Sequence, residues 1–116
     1  MDKKLMFPWH ARHTRKVEVS NTYIIQPAEG LANVTVPVGT YYIYLPEVAK
    51  AAGCIYVVHV TDDALGGTVL LSPNIWENVS GDVMIGSAYS FMLQTVDEWV
   101  VVYSTGLSWI ILGSNT

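Results

Sequence analysis

The chain has 116 residues, 51% of them hydrophobic and only 14% charged, with six basic and ten acidic side chains for a net charge of −4 at pH 7. That length holds one domain and not two; the charge falls well below the roughly 25% of an average soluble domain, which argues against a freely solvated monomer and for contact with other protein. The single cysteine, Cys54, excludes an internal disulfide framework, and no apolar run reaches the about 18 residues of a helical membrane span.

Residues 1–16 hold five of the six basic side chains (Lys3, Lys4, Arg12, Arg15 and Lys16) against Asp2 alone, a net +4; residues 17–116 hold Lys50 against nine acids, a net −8. We therefore divide the chain into a basic, extended N-terminal arm, 1–16, and an acidic body, 17–116. Arms of this kind gain order on an acidic partner. Phe7, Pro8 and Trp9 add aromatic bulk that a solvated tail does not need, so the arm reads as a peptide that docks on a neighbour. The plainer alternative is a terminus partly ordered on its own subunit. Met1 to His10 has no long apolar core and no small-residue cleavage site, which points to synthesis in a host cytoplasm without secretion.

From Lys16 the pattern is β. Val17 and Val19 alternate with Glu18 and Ser20, and Tyr23-Ile24-Ile25 runs into the breaker Gln26-Pro27-Ala28-Glu29-Gly30. Val34-Thr35-Val36 stops at Pro37, which cannot donate to a ladder and marks a strand end or an edge. Thr40 to Leu45 places Tyr41, Ile43 and Leu45 on one face and Tyr42 and Tyr44 on the other, so one face can enter a core while two phenols stand at an interface or in water. Pro46 to Gly53, with proline in its first turn, alanines inside and glycine past its end, predicts one short helix near 46–52.

Cys54 to Thr61 reads as a buried strand, with Cys54 a small apolar residue in it. Asp62 to Gly67 is its exit loop, and Thr68 to Ser72 returns antiparallel after the Gly66-Gly67 turn. Pro73 to Ser80 reads as loose chain anchored by Ile75 and Trp76. Turns at Gly81-Asp82 and Gly86-Ser87 bracket Val83-Met84-Ile85, and Tyr89 to Thr95 is the next strand. The chain closes on a hairpin: Trp99 to Tyr103, a break at Ser104-Thr105-Gly106, then Trp109 to Leu112, with Gly106 supplying the positive φ of a short loop. About eight short strands with frequent turns predict an all-β domain, a single antiparallel β-sandwich or barrel.

Chemistry finds few candidates. His10 and His13 are spaced i, i+3, but no Cys, Asp or Glu nearby completes a tetrahedral set, so no metal site is assigned. His59, inside an apolar strand, reads as a hydrogen-bonded structural histidine. Asp62-Asp63 and Asp97-Glu98 are adjacent pairs that a strand would point to opposite faces, and turn residues are the better account; the first pair also lacks the alternating oxygen ligands of a calcium loop. No serine lies in a nucleophile elbow, and no phosphate-binding or dinucleotide glycine motif occurs. The sequons Asn33-Val34-Thr35 and Asn78-Val79-Ser80 read as chance in a chain without a secretory route. An acidic body repels phosphate, which disfavours a nucleic-acid-binding domain. The chain reads as non-enzymatic, with no catalytic residue and no cofactor.

Leu45-Pro46, then Ala49, Ala51, Ala52 and Gly53, then Val69 to Pro73, and finally Ser104-Thr105-Gly106 with Trp109 form an ordered pattern. It resembles a β-domain of bacteriophage virion proteins found in tail-fibre heads, spikes and capsid decoration proteins, commonly as trimers. The likeness spans residues 38–113 and departs at Thr105, where that pattern often has aspartate. Together with the charge distribution, the resemblance implies a capsid decoration or cement protein: a homotrimer on the outer surface of the virion that staples the major capsid protein, with no nucleic-acid or membrane partner. Phe7, Trp9, Arg12, Arg15 and Lys16 are the candidate capsid contacts. Tyr42, Tyr44, Trp99 and Trp109 are candidates for the subunit interface or the core, the core being the plainer reading for the tryptophans. The alternative is a receptor- or carbohydrate-binding head of a tail fibre or spike, in which some of the seven tyrosines and four tryptophans stack on sugar rings. A fibre head ordinarily follows a long shaft, and here the domain begins almost at once.

Overall fold

The computed structural model describes residues 15–36, 38–62, 66–80, 85, 86, 88 and 90–116. In chain order they form β1 (Lys16–Val19), β2 (Tyr23–Ile24), β3 (Leu31–Thr35), β4 (Thr40–Tyr44), β5 (Ile55–Asp62), β6 (Thr68–Ser72), α1 (Ile75–Ser80), β7 (Phe91–Leu93), β8 (Trp99–Ser104) and β9 (Trp109–Ser114). Nine strands lie in two sheets, a five-stranded one ordered β1-β3-β5-β8-β9 and a four-stranded one ordered β2-β4-β6-β7. The all-β class expected from the sequence holds.

The antiparallel arrangement does not. Through its first six strands the chain alternates between the sheets, so β1, β3 and β5 pair in parallel in one sheet while β2, β4 and β6 do so in the other. Parallel neighbours need a crossover, which in most folds is a helix. Here each crossover is a strand of the opposite sheet. Only the last third turns back, with β6–β7, β5–β8 and β8–β9 antiparallel. Both sheets are thus mixed. Strand β6 does not return beside β5; it joins the other sheet, between β4 and β7.

The short helix expected at 46–52 is also absent. Residues 48–53 form consecutive turns, with Lys50 and Ala51 N–H both donating to Glu47 O at 3.1 Å and Gly53 N–H donating away to Ser104 O at 2.9 Å. Two turns of isolated helix do not recover the cost of nucleation, and tertiary partners claim the backbone instead. The Val48 carbonyl accepts Ser104 Oγ at 2.6 Å, and its N–H donates to the Glu77 carboxylate at 3.2 Å. Among the described residues the helix that does form, α1, lies where the sequence read loose chain. Asn74 Oδ1 accepts Trp76 N–H at 3.2 Å, an N-cap satisfying one of the helix's first free donors.

The inward faces of both sheets meet in one core. Val34, Val58, Val100 and Val102 enter it from the five-stranded sheet, and Tyr41, Ile43, Val69, Leu71 and Leu93 from the four-stranded one. Buried tyrosines keep their hydroxyls paired: Tyr41 Oη donates to Thr35 O at 2.6 Å, and Tyr56 Oη to Pro27 O at 2.8 Å. Trp109 is 1% exposed and meets Tyr56 edge to face, centroids 5.6 Å apart. The closing hairpin stands as expected, with Gly106 at φ +94°. Its β9 strand carries a bulge at Leu112, since Val101 and Val102 pair with Gly113 and Ile111.

Candidate interaction surfaces

Strand register fixes what each outer face presents. On the four-stranded sheet, Ile24 pairs with Tyr44, and Tyr42 pairs with Leu70, which pairs with Met92. These five side chains share one outward, apolar face. Tyr42 and Tyr44 stack with centroids 5.7 Å apart and planes 8° from parallel, while Met92 is 52% exposed. The next row, Thr40 with Thr68, is polar but uncharged and is closed by Gln94 Nε2 donating to Thr68 Oγ1 at 3.2 Å. No ionised side chain stands in these register rows.

A pocket of about 230 Å³ adjoins this face, lined by Ile24, Ile25, Gln26, Pro27, Pro46, Glu47, Lys50 and Asn74. Its charged groups pair across the rim, Lys50 Nζ lying 3.6 Å from Glu47 Oε1. Asn74 is engaged in capping α1 and in donating to Leu45 O at 3.4 Å. The pocket is mixed in character, with Ile24, Ile25, Pro27 and Pro46 beside Gln26, Glu47, Lys50 and Asn74.

On the five-stranded sheet, one register row runs Glu18, Asn33, His59, Trp99 across β1, β3, β5 and β8. Asn33 Nδ2 donates to Glu18 Oε2 at 3.0 Å, and His59 Nε2 lies 3.3 Å from Asp97 Oδ1. The hydrogen-bonded role expected for His59 is what the structure gives. The neighbouring row opens with Lys16 at the sheet edge and continues through Leu31, Val57, Val101 and Gly113, which are apolar. A Cβ on Gly113 would stand 3.5 Å from Trp99 Cζ3, so the indole leans into space that a larger side chain on β9 would occupy.

At the base of the arm, backbone hydrogen bonding and two ion pairs meet the body. Arg15 N–H donates to Ala28 O at 3.2 Å, its guanidinium lies 3.9 Å from Glu29 Oε2, and Lys16 opens β1 with Nζ 4.0 Å from Glu18. Both cations are exposed, so these pairs contribute little stability. Glu29 itself is buried, accepting Tyr23 Oη at 2.7 Å and Gln26 N–H at 2.8 Å. Burial, and then the hydrogen bond to that carboxylate, push the Tyr23 phenol up to about 12. Sequence reading placed Glu29 in a turn and missed this; its position three residues after Gln26 was the available signal.

The candidate residues do not converge on one spot. Tyr42 and Tyr44 face out from one sheet and Trp99 from the other, whereas Trp109 lies within the core of the single chain. Phe7, Trp9 and Arg12, with His10 and His13, lie outside the described residues, as do Pro37, Asp63 and the 81–84 turn. Asp97 and Glu98 lie in the turn before β8, the account the sequence favoured, and their side chains go to different partners. Asp97, at φ +69°, turns to His59, and the Glu98 carboxylate accepts Gln94 N–H at 2.7 Å and Thr95 Oγ1 at 2.8 Å. Among the described residues no three His, Cys, Asp or Glu side chains gather as metal ligands, and no helix is long and apolar enough to cross a membrane. No family model matches the chain, and neither the curated proteins nor the solved structures yield a match.

Proposed function

We propose that this chain is a structural adhesion protein of a virion, a capsid decoration protein that self-associates as a homotrimer and attaches to the major capsid protein through its basic arm. The observation that carries this reading is the uncharged outer face of the four-stranded sheet, Ile24, Tyr42, Tyr44, Leu70 and Met92. Exposed in water, contiguous apolar side chains of this size are a liability; buried against another protein, each Å² contributes about 25 cal/mol. The +4 arm is complementary to acidic protein surface, with which its own −8 body competes, so the reading requires an acidic patch on the capsid to hold it. Residue types that would serve as shell contacts are Phe7, Trp9 and Arg12 in the arm, with Arg15 and Lys16 at its base.

The test uses two proteins, the full chain and a chain lacking residues 1–14, which leaves β1 intact. Both are sized by light scattering and incubated with purified, undecorated capsids. A trimer in both cases, with attachment only by the full chain, supports the proposal. Undiminished attachment of the shortened chain refutes the arm's role, and a monomer refutes the adhesive face. Quantitative mass spectrometry of virions then separates a shell protein, present in numbers comparable with the major capsid protein, from a tail component present as a minor species.

A further inference from the structure

We propose that the outer face of the five-stranded sheet carries a saccharide-binding site formed by Glu18, Asn33, His59 and Trp99. These residues are far apart in sequence and stand in one register row across four adjacent strands. Three strand spacings give the row a length of about 14 Å, which suits a short oligosaccharide better than one ring. The row combines the groups that a polyhydroxylated ring requires: a carboxylate acceptor in Glu18, an amide in Asn33 that both donates and accepts, an imidazole in His59, and an indole beside them. Asp97, 3.3 Å from His59, adds a second carboxylate.

The row is organised before any ligand arrives. Asn33 is tied to Glu18 and His59 to Asp97. The Trp99 backbone is held by its main-chain N–H donating to Asn115 Oδ1 at 2.8 Å, and its indole leans over Gly113. Binding therefore orders few side chains, which is the main cost such contacts must offset. The apolar stretch of the adjoining row, Leu31, Val57 and Val101, gives the C–H faces of a sugar a surface to cover. Lys16 Nζ lies 4.0 Å from Glu18 and offsets its charge, which leaves Asp97 as the carboxylate that disfavours phosphate and anionic glycans. The ligand class is a neutral hexose or N-acetylhexosamine oligosaccharide. This inference deepens the receptor-binding alternative raised by the sequence and does not rest on the capsid reading, which uses the outer face of the other sheet.

The experiment places the full chain on an array of neutral and acidic oligosaccharides and titrates any hit by intrinsic tryptophan fluorescence. Binding of neutral glycans is expected, weakened about tenfold in Trp99→Ala, as loss of an aromatic contact implies, less in Trp99→Phe, and clearly in Asn33→Ala. Trp76→Ala, which removes the 77%-exposed indole on α1, should bind as the parent does. Thermal denaturation establishes that each variant is folded, and Asn33→Ala decides the matter if Trp99→Ala is not. Binding to no glycan, binding to acidic glycans alone, or a hit that survives Trp99→Phe and Asn33→Ala but is lost in Trp76→Ala overturns the site. Capsid attachment, measured separately, stands or falls independently of these outcomes.

Discussion

Replacing Trp109 tests how the closing hairpin holds the molecule together. The indole is 1% exposed, meets Tyr56 at 5.6 Å, and keeps its Nε1–H without a hydrogen-bond partner among the described residues. Trp109→Ala empties a core site and removes the aromatic pair, which should cost about 3–5 kcal/mol. Trp109→Phe is a different perturbation. It removes two carbons, roughly 1.6 kcal/mol of burial at about 0.8 kcal/mol per group. It also removes the orphaned donor, whose burial costs about 1–3 kcal/mol. The two effects oppose, so Trp109→Phe should lie within about 1.5 kcal/mol of the parent. Urea unfolding followed by circular dichroism at one fixed protein concentration reads both, with a constant m-value as the check on two-state behaviour. If Trp109→Ala costs less than about 1 kcal/mol, the indole is not part of the core; if Trp109→Phe costs as much as Trp109→Ala, its N–H is not an orphan.

Two glycines of the same hairpin should respond in opposite ways. Gly106→Ala forces a side chain onto φ +94°, with Ala52 Cβ 3.4 Å away, and should cost about 1 kcal/mol or more; Gly113→Ala adds a methyl group at ordinary contact distance from Trp99 and should stay within about 0.5 kcal/mol. Equal melting shifts in the two variants would contradict the assigned backbone conformations. The pH dependence should be shaped by two carboxylates of opposite sign. Burial raises the Glu98 pKa, but hydrogen bonds from Gln94 N–H and from Thr95 outweigh it and leave the pKa below the usual range. Its stabilisation is present above the unfolded-state pKa and is lost as pH falls through the folded value. Glu77 is raised chiefly by burial, against the Val48 N–H and with the help of Glu47, so its contribution is present below the unfolded-state pKa and is lost as pH rises through the folded one. Glu98→Gln should therefore flatten the acid limb of a melting-temperature profile, and Glu77→Gln should lessen the loss on the rising side. An unchanged profile in either variant removes that carboxylate from the account.

The proposed surfaces differ in how much of them the sequence could disclose. Tyr42 and Tyr44 were legible as an outward pair because alternation along a single strand assigns faces without knowledge of any neighbour. The polar row could not be read this way. Positions 18, 33, 59 and 99 become adjacent only through three separate strand pairings, two parallel and one antiparallel.

What the chain determined by itself was local. Apolar and polar residues at period two fixed which side of β4 enters the core, and Gly106 and the flanking branched residues fixed the final hairpin, because strand pleat and glycine's left-handed conformation are properties of a few adjacent residues. Only the tertiary structure decided which strands became neighbours. The glycine pair before β6 permits a turn but does not choose between β5 and the opposite sheet; that choice rests on burying Val69 and Leu71 against both sheets at once. The same competition undid the helix expected at 46–52, whose backbone groups found partners in Ser104 and Glu77 from distant parts of the chain. A helix formed instead at Ile75–Ser80, where Asn74 could cap it.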